Sequence, residues 1–164
     1  MTNVIAAKVP ASFLSIDLST LGTLVPFSDI TAGSDVVAVR AYSNSALFVS
    51  MPFHTDSPAD VKNDTLSGKC SNDDEVSYLN DAGMDWYLVD AEKPFDWAAG
   101  GELIGFEDIA EGDRIRYIGA SPISLDIEEF IANEFGGTDD DLWVSDNSGI
   151  HAFWKGYGNW VKLS

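Results

Sequence analysis

The chain has 164 residues, 45% of them apolar and 12% aromatic, and a formal net charge of −18 at pH 7. Acidic disordered tails are poor in aromatic and apolar side chains, so this composition excludes one and requires a folded core. The charge excludes direct binding to nucleic acid or to an anionic membrane and leaves protein partners, including copies of the chain itself.

In chain order, residues 1–13 come first. Val4, Ile5, Val9 and Phe13 give them strand character, while Lys8 and Pro10 interrupt the apolar run. No basic stretch precedes it, so neither a signal peptide nor a membrane span is expected. The expectation is an extended N-terminal arm able to add a strand to the sheet edge of a neighbour. Val4, Ile5, Val9 and Phe13 are its candidate partner-contacting residues.

Gly22–Gly33 reads GTLVPFSDITAG, and Gly101–Gly112 reads GELIGFEDIAEG. Gly22/Gly101, Leu24/Leu103, Phe27/Phe106, Asp29/Asp108, Ile30/Ile109 and Gly33/Gly112 are identical, at one constant spacing of 79 residues. Each copy has a strand-like apolar stretch, then an Asp and a Gly suited to a turn. A second strand follows, DVVAVRAY in one copy and DRIRYIGA in the other. A weaker echo sets Asp74–Tyr87 against Asp140–Phe153. Two echoes in the same order point to an internal duplication. The expected fold is mainly β, in the α+β class, with two related small β-rich units. The first spans 14–97 and the second 98–164.

Within the first unit, Val36–Met51 reads as a hairpin turning near Ser43–Ser45. Residues 54–75 lack apolar periodicity and read as a polar insertion. Cys70 is the only cysteine, which rules out an internal disulfide. In the second unit, Ile123, Ile127, Phe130, Ile131 and Phe135 recur at helical spacing. Ser121–Pro122 suits a helix start and Gly136 its end. One amphipathic helix over about 122–135 is therefore expected. The five Trp residues crowd the end of each unit and are expected in the core.

Chemistry-bearing motifs are absent. His54 and His151 lie in no metal-ligand spacing, and one Cys cannot complete a zinc site. No GxSxG elbow, phosphate loop or GxGxxG is present. Catalytic residues, cofactors and metals are not expected. Two acidic runs, Asp73–Glu75 and Asp139–Asp141, do not match a calcium loop. Asp73, Asp74, Glu75, Asp139, Asp140 and Asp141 are instead candidate contacts for a basic surface. Two functional expectations follow. The first is a non-enzymatic structural subunit of a bacteriophage virion (a decoration, head or tail component), made in the host cytoplasm and assembling with other protein subunits. The alternative is an acidic cytoplasmic inhibitor, a DNA mimic or nuclease-immunity protein that binds one basic partner.

Overall fold

The computed structural model describes residues 14–43, 45–135, 141–146, 149–154 and 158–163. These form thirteen strands and three single-turn 3-10 helices, with no α-helix among the described residues. The protein is mainly β, as its sequence implies, and its strands belong to one antiparallel sheet.

The repeated phrase takes the same path twice. Strand β1 (Thr23–Val25) ends in a 3-10 turn, Phe27–Asp29, and Gly33 at φ +78° sends the chain into β2 (Asp35–Ser43). After β3 (Ala46–Ser50) and β4 (Phe53–Thr55) come β5 (Thr65–Cys70), β6 (Glu75–Leu79) and β7 (Met84–Leu88). The second copy opens with β8 (Gly101–Ile104), the turn Phe106–Asp108, Gly112 at φ +86° and β9 (Arg114–Ala120). Then follow β10 (Ser124–Phe135), β11 (Asp141–Asp146), β12 (Gly149–Trp154) and β13 (Asn159–Leu163). Glycine holds both left-handed positions because a side chain there would be strained.

Pairing repeats as well. β7 lies between β1 and β2, so Trp86 stands opposite Val25 and Ala38. β13 lies between β8 and β9, so Trp160 stands opposite Ile104 and Tyr117. The ring of Trp86 meets Phe27 at 5.3 Å and that of Trp160 meets Phe106 at 6.2 Å. Each Trp anchors its own core, with Ile30, Val36 and Phe53 in the first half and Ile109, Ile115 and Phe130 in the second. The weaker echo behaves differently. It sets β6–β7 against β11–β12, yet the strand that occupies the place of β7 is β13.

The halves join through β3 and β10. Val49 pairs with Leu125 and Leu47 with Ile127, around the central pair Phe48–Asp126. Against their own halves, Leu47 faces Ala41 as Leu125 faces Ala120, and Val49 faces Val39 as Ile127 faces Ile118. Matching residues therefore meet reciprocally, the pattern of a two-fold interface. A third core lies on this shared face and draws Val37, Val39, Leu47, Val49 and Tyr87 from one half. From the other it draws Ile118, Leu125, Ile127, Val161 and Leu163.

The helix expected over 122–135 is overturned: these residues form strand β10. Leu125 and Ile127 bury one face of the strand in the shared core. Phe130 and Ala132 bury the opposite face in the second half's own core. A strand that changes its buried face partway yields apolar spacings of three and four, which imitate a helix. Ser121–Ser124 is the hairpin turn that enters it: the Ser121 amide donates to the Ser124 carbonyl at 2.8 Å. The polar stretch 54–75 is likewise more ordered than its composition implies. Leu66, Gly68 and Cys70 alternate inward along β5, while Ser67 and Lys69 face away from that side.

Tyr78 on β6 locks the halves at their rim. Its hydroxyl donates to the Ile123 carbonyl at 3.2 Å and its ring packs on Phe53 at 5.5 Å. Burial, and secondarily the neighbouring Cys70, pushes its pKa up to about 12. The folded state thus favours the neutral phenol. Its contribution is intact below the ordinary value near 10 and is lost as pH rises towards 12. In an ultraviolet titration of the folded protein, Tyr78→Phe should remove a tyrosinate signal that appears only near pH 12. An unchanged titration curve would contradict this placement.

Candidate functional site

Strands β1 and β8 are both sheet edges, each paired on one side only among the described residues, to β7 and β13 respectively. Their lengths follow from the sequence. Pro26 and Gly105 end them, and a tight approach begins them: a Cβ on Gly22 would run into the Leu88 carbonyl, and one on Gly101 into the Lys162 carbonyl. At the centre of each edge a leucine stands on the shared-core face, Leu24 opposite buried Tyr87 and Leu103 opposite buried Val161, yet is left exposed at the rim. Leu24 is 59% exposed and Leu103 is 67% exposed. Edges with free backbone groups template pairing with another chain unless short length, charge, Pro or a bulge blunts them. Both strands are short, three and four residues; Thr23–Val25 carries no charge and no Pro, and Gly101–Ile104 carries one charge, Glu102.

Behind these edges, a buried ion pair fixes the N-terminal segment and the connection between the halves. Arg116 on β9 is 1% exposed, and Glu129 on β10 is fully buried. Arg116 Nε donates to Glu129 Oε2 at 3.0 Å. Arg116 Nη1 donates to the carbonyls of Trp97 and Ala99, at 2.7 and 2.8 Å. Glu129 Oε1 accepts from both the amide and the hydroxyl of Ser15, each at 2.8 Å. Arg114 adds a second cationic contact to Glu129 at 3.5 Å. Both Glu129 oxygens and all three Arg116 nitrogens are hydrogen-bonded, and the pair ties Ser15, just after residues 1–13, to the sheet.

Of the candidate contacts read from the sequence, Val4, Ile5, Val9, Phe13, Asp139 and Asp140 lie outside the described residues. Asp141 opens β11. Asp73, Asp74 and Glu75 lie at the β5–β6 turn, where Asp73 adopts φ +67°. The Cys70 amide donates to the Asp74 carbonyl, and the Asp74 amide donates to Asn72 Oδ1. Glu75 ends a row of facing residues across four strands, Asp35, His54, Lys69 and Glu75. Asp35 meets His54 at 3.0 Å and Lys69 meets Glu75 at 4.0 Å, both at exposed positions. Such surface pairs contribute about 0–1 kcal/mol each.

No group of three or more His, Cys, Asp or Glu side chains among the described residues is arranged to hold a metal ion. Cys70 is packed in the first half's core, and burial, with the charge of Asp74, pushes its thiol pKa up. His54 lies on the opposite side of the sheet, outward with Asp35. The thiol is therefore a poor nucleophile. Its alkylation by iodoacetamide should run roughly a hundredfold or more slower in the native protein than in denaturant. Comparable rates would contradict the burial.

Sequence reasoning missed the two edges and the ion pair. The exposed Leu24 and Leu103 were visible as repeat positions, but nothing local marked them as exposed. Arg116 and Glu129 read as ordinary members of a strand and a helix. Comparisons with protein-family models, with curated proteins and with solved structures find no match.

Proposed function

We propose that the chain is a non-enzymatic structural subunit, of the kind that builds or decorates a bacteriophage particle. In this reading it arose by internal duplication and assembles with other protein subunits through its sheet edges and N-terminal arm. The observation that carries the reading is the pair of open edges, β1 and β8, with an exposed apolar leucine at the same repeat position. Duplication is supported by the repeated pairing of Trp86 and Trp160 and by the reciprocal contact of β3 with β10. Added strands on two like edges give one chain two binding directions, which a lattice or ring requires. The net charge keeps the surface from collapsing onto unrelated proteins or nucleic acid.

The edges supply a direct test. Leu24→Lys with Leu103→Lys places a cation at the centre of each edge, the device natural sheets use against pairing. Sedimentation of the full chain over a concentration series should show self-association or co-assembly with particle subunits. The double variant should raise the midpoint concentration by about tenfold or more. Assembly at the same midpoint in the variant would overturn the edge reading. A chain that stays monomeric and binds one basic protein with steep salt dependence would favour the inhibitor reading.

A further inference from the structure

Between the shared sheet face and the segment that joins the halves lies a cavity of about 320 Å³. The sheet lines it with Val37 and Leu125, the break after β3 with Met51, and the joining segment with Phe95 and Trp97, whose rings meet at 4.4 Å. Val37 and Leu125 are buried in the shared core, and Phe95 and Trp97 pack partly buried against it.

The internal repeat of pairings shows why the space is open. Tyr87 pairs with both Leu24 and Val37, and Val161 pairs with both Leu103 and Arg116. Val37 thus occupies in the first half the place of Arg116 in the second. In the second half the long Arg116 side chain, its partner Glu129, Ser15 and two linker carbonyls fill that place. The first half has the shorter Val37, and opposite it the strand breaks at Met51–Pro52, between β3 and β4.

The volume falls at the lower end of the range for small-molecule pockets, roughly 300–1,000 Å³. Its lining is mostly apolar with a few polar groups, Ser50, Asp90 and Lys93, the make-up of a small-molecule pocket. Two opposite charges are among its lining residues, Lys93 and Asp90. Lys93 lines the cavity, is exposed and forms no ion pair among the described residues. Asp90 also lines it, and its Oδ1 accepts the Glu92 amide at 3.0 Å. We propose that this cavity binds a small amphipathic anion, its apolar body between Trp97 and Leu125 and its carboxylate at Lys93. The site is independent of the sheet edges, so it stands or falls apart from the assembly reading.

The test uses the full chain, titrated calorimetrically with sodium octanoate and, separately, with 1-octanol. Octanoate should bind saturably at one per chain and several-fold more tightly than octanol. Lys93→Met, at an exposed position, should reduce octanoate to the affinity of octanol and leave octanol unchanged. 2-Bromooctanoate should quench the Trp97 emission, and Trp97→Phe should remove that quenching. No saturable binding of octanoate would overturn the proposal. So would equal affinity for acid and alcohol, octanoate binding unchanged in Lys93→Met, or quenching that survives Trp97→Phe.

Discussion

Glu129→Ala is expected to destabilise the protein by about 3–5 kcal/mol, because it strands a buried guanidinium. Arg116 is 1% exposed and would keep only its bonds to the Trp97 and Ala99 carbonyls and to Ser15. The Ser15 amide and hydroxyl would lose their acceptor as well. Equilibrium unfolding in urea reads the loss directly. Removing both charges is a different experiment. A buried pair repays its desolvation only in part, and apolar replacements of similar size are often neutral or better. Arg116→Met with Glu129→Leu should therefore recover most of the stability lost in Glu129→Ala. It should still release Ser15, and with it the hold on the N-terminal segment. If Glu129→Ala unfolds at the wild-type urea midpoint, the buried pair is not as described.

Trp86→Ala and Trp160→Ala are each expected to cost about 3–5 kcal/mol, the range for emptying a large aromatic site in a packed core. Trp86 is 2% exposed and Trp160 is 3% exposed. Each sits on the strand between a phrase's two strands and packs on the phenylalanine of that phrase. Trp86 carries a further contact, since its Nε1 donates to Asn80 Oδ1 at 2.9 Å. Asn80→Ala should separate that hydrogen bond, about 1 kcal/mol, from the packing. Both tryptophan variants should unfold in one transition, because the core across β3 and β10 couples the halves. Two separated transitions would show halves that fold independently.

The β class was legible because turn residues and strand-like runs recur along the chain. Gly33 and Gly112 had to adopt positive φ, and they do. The phrase around them announced its own local path. What failed was periodicity in β10. Ile127 and Phe130 are three residues apart and serve cores on opposite faces of one strand. No single-strand template contains that pattern, so the helix template matched it better. The second echo failed for a related reason. Its aligned residues share strand character, yet β7 is an inner strand while β12 pairs only with β11 among the described residues. Composition alone does not distinguish those places.

The candidate site was less legible still. Leu24 and Leu103 stand opposite buried Tyr87 and Val161, and only the place of β1 and β8 at the sheet edges leaves them exposed. Arg116 and Glu129 are thirteen positions apart, and only the β9–β10 register brings them together. The cavity beside Val37 is visible only by comparison with the place Arg116 fills in the other half. Carboxylates crowding a turn were conspicuous in the sequence. At Asp74 the structure shows only local turn bonds, with Asn72 and Cys70.

The central claim is that this chain is a subunit of an assembly, and its sedimentation in a lysate of its source tests that most directly. Co-sedimentation with large particles at fixed stoichiometry is the predicted result. Recovery in the slow-sedimenting fraction, alone or bound to one basic protein, would contradict it.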